Sequence, residues 1–339
     1  MISVSRLLLS GLCFLCAATC SAAQYPARPS APGVAFRLTP DYGIAAIYFK
    51  DGTHVSVAQV QGSSEYQIFM RETTAASSMQ DSKVCQLLSP VLGRMQSTLG
   101  VDLNTCLSTD VATVKALLAS LNSAVESYLG TNICFASLSL DVADGKKSEV
   151  AQEALRAVGL VQVLPTIQSA QHIVLAHRPE SEPEPDEEWI VLAVDFSTRW
   201  YNIGLYTVGE LGIVDPVIDF VKGPTIDQDN QTDALRDTLS HLLANPPPNV
   251  KLPKQIRHLV VYGDDSHNDS LHGVLTELLG TDLVRNARVA DSVFDGSKYT
   301  ACVVFEDMDT VDFETRVKPA FGCKWRSRLY SGDPTTPEL

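Results

Sequence analysis

The sequence predicts a two-lobed α/β protein in which each lobe is a mixed sheet flanked by helices. A run of three β-rich segments followed by alternating helix and strand patterns occurs once before residue 178 and again after residue 188. Between the two runs lies an acidic, Pro-rich stretch, Arg178–Glu188 (RPESEPEPDEE), which has no apolar side chain to bury and reads as a solvated spacer. Removing an apolar leader leaves about 316 residues, a length that suits two domains or one two-lobed unit facing across a cleft.

The leader comes first. Arg6 is its only charge, Leu7–Cys20 is apolar, and Ser21, Ala22 and Ala23 supply small residues for cleavage, so residues 1–23 read as a signal peptide. A retained anchor is the competing reading, but a membrane span needs about 20 apolar residues and this run is shorter and interrupted. Residues 24–35 are rich in Pro, Ala and Ser and read as a linker. Ile44–Lys50, His54–Gln61 and Glu65–Arg71 then read as strands, the first two joined by an Asp51-Gly52 turn signal.

Val111, Val114, Leu117, Leu118, Leu121 and Val125 recur at helical spacing between a Thr109/Asp110 cap and Gly130. Strand Ile133–Leu140, helix Ser148–Val158, a short strand at Leu160–Leu164 and a helical stretch at Thr166–His177 complete a first lobe over residues 36–178. After the loop at 179–188 come strands Trp189–Asp195, Tyr201–Thr207 and Gly212–Val221. Helix Thr232–Ala244, strand His258–Tyr262, helix Asp269–Leu279 and strand Ala301–Phe305 follow, giving a second lobe over 189–330 and a disordered tail at 331–339.

Charge narrows the partners. With Arg6 lost in the leader, 25 basic residues face 40 acidic ones, a net charge of −15. Such a surface repels nucleic acid and anionic membranes, and no later stretch has the length of a membrane span. The leader also removes Cys13, Cys16 and Cys20, leaving Cys85, Cys106, Cys134, Cys302 and Cys323. An odd number in an oxidising compartment leaves one thiol unpaired or bonded between chains. Cys134 lies in an expected buried strand and is the candidate free thiol, with Cys85–Cys106 and Cys302–Cys323 as candidate bridges. The sequons at Asn230 and Asn268 are candidate glycosylation sites.

Residues 131–160, TNICFASLSLDVADGKKSEVAQEALRAVGL, resemble the heat-shock-70 segment in which a V-P-A strand is followed by a helix and A-G-L. Other landmarks follow in the same order: Asp41-Tyr42-Gly43, then Asp195 ending a strand, then Gly263 ending a later one. The chain is therefore similar to the actin-like ATPase superfamily, with ribonuclease H-like lobes, and most of all to a degenerate heat-shock-70-type nucleotide-binding domain.

The resemblance implies a magnesium site around Asp41 and Asp195, and nucleotide contacts at Gly43, Ser197, Thr198, Arg199 and Gly263. Those loops are eroded. The family's D-L-G-G-G-T reads Asp195-Phe196-Ser197-Thr198-Arg199-Trp200 here, so the glycines that let backbone N–H groups approach phosphate are gone. Gln168 stands where the family has Glu, and Asp264-Asp265 follow Gly263 in place of G-G-S.

The implied function is that of a pseudo-ATPase: a secreted binding or interaction module for a protein or small anionic ligand, with no cofactor expected. One alternative is a weak ATP-binding, ATP-hydrolysing relative using ATP and magnesium. Another is an unrelated secreted α/β hydrolase, although no G-x-S-x-G elbow is present. Asp264, Asp265, His267, Asp269 and His272 could suggest a metal site. A strand-to-helix loop capped by Asp269 is the simpler reading, and no metal is expected there.

Overall fold

The computed structural model describes residues 31–71, 107–141, 144–177, 189–208, 214–222, 231–248, 250–310, 312–319, 322–323 and 327–330. The expected leader, spacer and tail, the Cys85–Cys106 pair and Asn230 lie outside them. No helix among the described residues is long and apolar enough to cross a membrane.

Two mixed sheets share one plan. In the first, β1 (Gly33–Leu38), β2 (Tyr42–Tyr48) and β3 (His54–Gln61) form an antiparallel meander. β1 also pairs in parallel with β4 (Phe135–Leu140), whose other edge is met by β5 (Val161–Gln162) and β6 (Ile167–Gln168). In the second sheet, β7 (Ile190–Ser197), β8 (Trp200–Val208) and β9 (Val214–Lys222) repeat the meander. β10 (Ile256–Tyr262) lies parallel to β7, and β11 (Arg288–Val289) parallel to β10. The orders β3-β2-β1-β4-β5 and β9-β8-β7-β10-β11 are therefore the same topology used twice.

The helices are α1 (Ser64–Arg71), α2 (Thr109–Leu129), α3 (Gly145–Ala157), α4 (Ser169–Ala176), α5 (Gln231–Ala244), α6 (Asp269–Leu279), α7 (Thr281–Arg285), α8 (Asp295–Met308) and α9 (Phe313–Arg316). The spacing of Val111 through Val125 does form a helix, α2, and those side chains are buried with Phe36, Leu38, Ala45 and Ile47 of the first sheet. Each such side chain removed from water contributes roughly 1.5–3 kcal/mol. The N-cap is Ser108, which accepts the Val111 N–H, and Gly130 ends the helix at φ 66°.

One helix late in each run crosses to the other sheet. α4 follows the first sheet in sequence, yet Ala170, Ile173 and Val174 pack on Val191, Ala193, Tyr206 and Val260 of the second. α8 follows the second sheet but packs on β1, β2 and β4 of the first, and against α4. A Cβ on Gly33 would lie 1.9 Å from the Ala301 carbonyl oxygen of α8, so β1 and α8 approach closely enough to exclude any side chain there. This exchange ties the two sheets together.

Four expectations need correction. Residues 65–71 are helical, because Tyr66, Phe69 and Met70 recur at helical spacing and are buried. Ala301–Phe305 lies inside α8, where Ala301, Val304 and Met308 form one buried stripe. The expected linker at 24–35 contains the start of β1. The cap of α6 is Asn268, not Asp269: Asn268 Oδ1 accepts from the Ser270 and Leu271 N–H groups at 2.9 and 3.3 Å. Its Nδ2, the atom a glycan would occupy, donates to Asp265 Oδ2 at 2.9 Å.

The cysteines are also rearranged. Cys134 is bonded to Cys323, and Cys302 is free and half-buried on α8. Chain return explains the pairing, because the segment after α9 folds back on the start of β4. Phe313 and Tyr330 pack edge-on against Phe135, and the Cys134 N–H donates to the Tyr330 hydroxyl at 3.2 Å. Cys323 thus reaches Cys134, with Cα atoms 5.8 Å apart. A buried strand position did not preclude a bridge.

Candidate functional site

The ends of the two central strands face each other, and their hairpins can be aligned turn by turn. The Thr39 N–H donates to the Tyr42 carbonyl at 2.9 Å, closing a two-residue turn of Pro40 and Asp41. Ser197 pairs with Trp200 around Thr198 and Arg199 in the same way. Thr39 therefore corresponds to Ser197, Asp41 to Arg199, and Arg37, two residues before the turn, to Asp195. Asp41 is not the positional counterpart of Asp195.

Arg37 and Asp195 meet where the two sheets adjoin. Arg37 Nε donates to Asp141 Oδ1 at 2.7 Å and Nη2 to Asp141 Oδ2 at 3.0 Å, a forked pair. Nη2 also reaches Asp195 Oδ2 at 3.4 Å, and Nη1 donates to the Val293 carbonyl at 3.1 Å. Arg37, Asp141 and Asp195 are only 2%, 1% and 0% exposed. Burial opposes the Arg37 charge, but Asp141 and Asp195 outweigh it and hold the guanidinium above its ordinary pKa. Burial, and then the neighbouring Asp141, push the Asp195 carboxyl well above the usual carboxylate range, while Arg37 pulls it back. The guanidinium also lies 5.6 Å from the Tyr262 ring centroid.

The turn tips form a second bridge with the opposite polarity. Arg199 Nε donates to Asp41 Oδ2 at 3.0 Å, and Arg71, at the end of α1, donates to Asp41 Oδ1. Thr39 shapes this turn: its Oγ1 accepts from the Asp41 and Tyr42 N–H groups at 3.2 and 3.0 Å. At the other turn, the Thr198 N–H and Oγ1 both donate to Asp264 Oδ1, at 2.6 and 3.1 Å. Ser197 Oγ lies 3.3 Å from Asp195 Oδ1 and donates to it. Buried Gln231 holds the strand ends by donating Nε2 to the Ser197 and Trp200 carbonyls.

The remaining expected contacts have other roles. A Cβ on Gly43 would lie 2.7 Å from Leu121 Cδ1, so that glycine admits α2 and does not face the cleft. Gly263, at φ +114°, would bring a Cβ within 2.1 Å of the Phe196 carbonyl oxygen, so it permits the close approach of β10 to β7. Gln168 precedes α4, and its Oε1 accepts from the Tyr206 hydroxyl at 3.3 Å. His272 Nε2 lies 3.1 Å from the Ser266 carbonyl oxygen and Asp265 binds Asn268, so the polar cluster is a loop-and-cap network. Among the described residues, no group of three or more His, Cys, Asp and Glu side chains is arranged to hold a metal ion.

Sequence reasoning missed Arg37, Asp141, Arg71 and Gln231. The signal for the first two was a lone charge inside the apolar run GVAFRL and an acid directly after FASLSL. Beside Asp195 on the same face of the second sheet are Asn202 and Trp200, both buried. Among the described residues the Asn202 amide and the Trp200 Nε1, together with the Tyr42 hydroxyl, have no hydrogen-bond partner.

No protein-family model matches this chain, and no curated protein matches it.

Proposed function

We propose that the chain is a degenerate relative of the actin-like ATPases, of the heat-shock-70 type, that does not turn over ATP and works as a binding or interaction module in the secretory pathway. The doubled strand order and the exchanged α4 and α8 support the two-lobed, ribonuclease H-like part of this reading. The Cys134–Cys323 bridge supports an oxidising compartment. The unpaired amide of buried Asn202, beside Asp195, supports a cleft with polar groups still to satisfy.

The observation that carries the loss of activity is the Arg37 guanidinium, buried between Asp141 and Asp195. The resemblance puts a hydrated magnesium ion beside the loop aspartates, and these residues do not fit that group. A divalent cation next to Asp195 meets a guanidinium already fixed by four hydrogen bonds to three residues. The Thr198 N–H, the donor that a phosphate would need, is engaged by Asp264. Asp41 is likewise engaged by two arginines.

The test is a Mg-ATP titration read by thermal unfolding, together with a phosphate-release assay. A nucleotide at 100 times its dissociation constant adds about 2.7 kcal/mol to a protein that binds it. The expected result is no stabilisation and no magnesium-dependent release. Release that Asp195→Asn removes would overturn the proposal in favour of a working ATPase.

A further inference from the structure

We infer that the cleft mouth is a two-arginine oxyanion site held in a self-occupied state by Asp41. Two guanidinium groups that are far apart in sequence converge on this one carboxylate. Arg199 comes from the β7–β8 turn and Arg71 from the end of α1, and each takes a different oxygen of Asp41. This is the arrangement by which guanidinium pairs recognise a carboxylate or phosphate, except that the anion belongs to the protein.

Access favours exchange. Asp41 is 7% exposed, whereas Arg199 is 47% exposed, so an external anion can meet the outer arginine before the internal one leaves. Asp41 also sits at the tip of a two-residue turn closed by Thr39, outside the paired residues of β1 and β2. Asp264 faces the same mouth and opposes a second negative charge, but its Oδ1 is held by Thr198. The ligand class is a small oxyanion, either free or carried on an acidic or phosphorylated partner.

This deepens the binding-module reading, and the two can fail separately, because ATP turnover would end that reading without bearing on phosphate affinity. The probe is inorganic phosphate, titrated calorimetrically against the full chain, with acetate as a second arm. Asp41→Asn is expected to lower the phosphate dissociation constant at least tenfold, and adding Arg199→Ala is expected to abolish the gain. A gain for acetate matching that for phosphate assigns carboxylate recognition, and a gain for phosphate alone assigns phosphate. No gain in Asp41→Asn, or a gain that survives Arg199→Ala, overturns the inference. If Asp41→Asn does not fold, the unmodified chain still decides. Phosphate should then slow phenylglyoxal modification of Arg199, mapped by mass spectrometry, and an unchanged rate at high phosphate refutes the site.

Discussion

Replacing Arg37 by Met removes the guanidinium that bridges Asp141 and Asp195 and leaves the two carboxyls buried together. Methionine keeps the bulk of the stem, so the loss is mainly that of charge and hydrogen bonds. Breaking a buried ion pair by deleting one partner costs about 3–5 kcal/mol, a large share of the 5–15 kcal/mol that holds a typical fold together. Urea unfolding at pH 7, followed by circular dichroism and tryptophan fluorescence, should show this as a lower midpoint.

The pH dependence tests the cause. Asp195 already has a folded pKa above its unfolded value of about 3.9. A group of that kind contributes its full stability below the unfolded pKa and loses it as pH rises through the folded one. Removing Arg37, which pulls the Asp195 pKa down, extends that loss. The penalty of Arg37→Met is therefore greatest near pH 7 and shrinks toward pH 4. Adding Asp141→Asn and Asp195→Asn should recover most of it at neutral pH. A penalty below about 1 kcal/mol at pH 7, or one that does not change with pH, refutes the electrostatic account.

Cys323→Ser opens a loop of sequence separation 189, for which the chain-entropy model gives about 5 kcal/mol, so thermal unfolding should move sharply downward. An unmoved transition would mean that the C-terminal return holds itself without the bridge. Gln231→Ala leaves the Ser197 and Trp200 carbonyls buried without their donor and should cost about 1–3 kcal/mol in urea unfolding; a loss under about 0.5 kcal/mol rejects the clamp. Asp41→Asn keeps the shape of the turn and should cost only about 1–2 kcal/mol, because half-exposed Arg199 regains hydration. A cost as large as that of Arg37→Met would place the main inter-lobe bond at the tips.

The β-then-alternating pattern was legible because most elements had only one solution at their spacing. α2 had six periodic apolar positions, and β7, β8 and β10 were long β-rich runs. Apart from α1, whose eight residues are too few for a clear period, the elements that failed lie where α8 crosses to the first sheet. α8 packs on the first sheet and on α4, so ACVVF carries enough β-branched residues to look like a strand. β1 begins with Gly33, which the close approach of α8 requires, and a Gly after a Pro/Ala/Ser-rich stretch reads as linker. The site was less legible still. Arg37 meets Asp141 across 104 residues and Asp195 across 158, separations that no local motif encodes. The motif Asp41-Tyr42-Gly43 drew attention to the turn, while the residue matching Asp195 stood four positions earlier without any motif.

The doubled topology gives this charge arrangement its meaning. Where two copies of one hairpin face each other, each position meets its own counterpart, and like residues at both would repel. Here the counterparts have opposite signs at both levels, Arg37 with Asp195 at the floor and Asp41 with Arg199 at the tips, and the polarity reverses between them. The lobes are thus joined where a symmetric pair of carboxylates would need a cation to join them. The two levels differ in burial, and so in kind. The floor pair is sealed, with a forked Asp141 contact to fix it, and its rupture leaves charges with nowhere to go. The tip pair opens to solvent through Arg199, the side from which an anion can approach it. The two lobes thus meet through a sealed charge cluster beneath a pair that borders solvent.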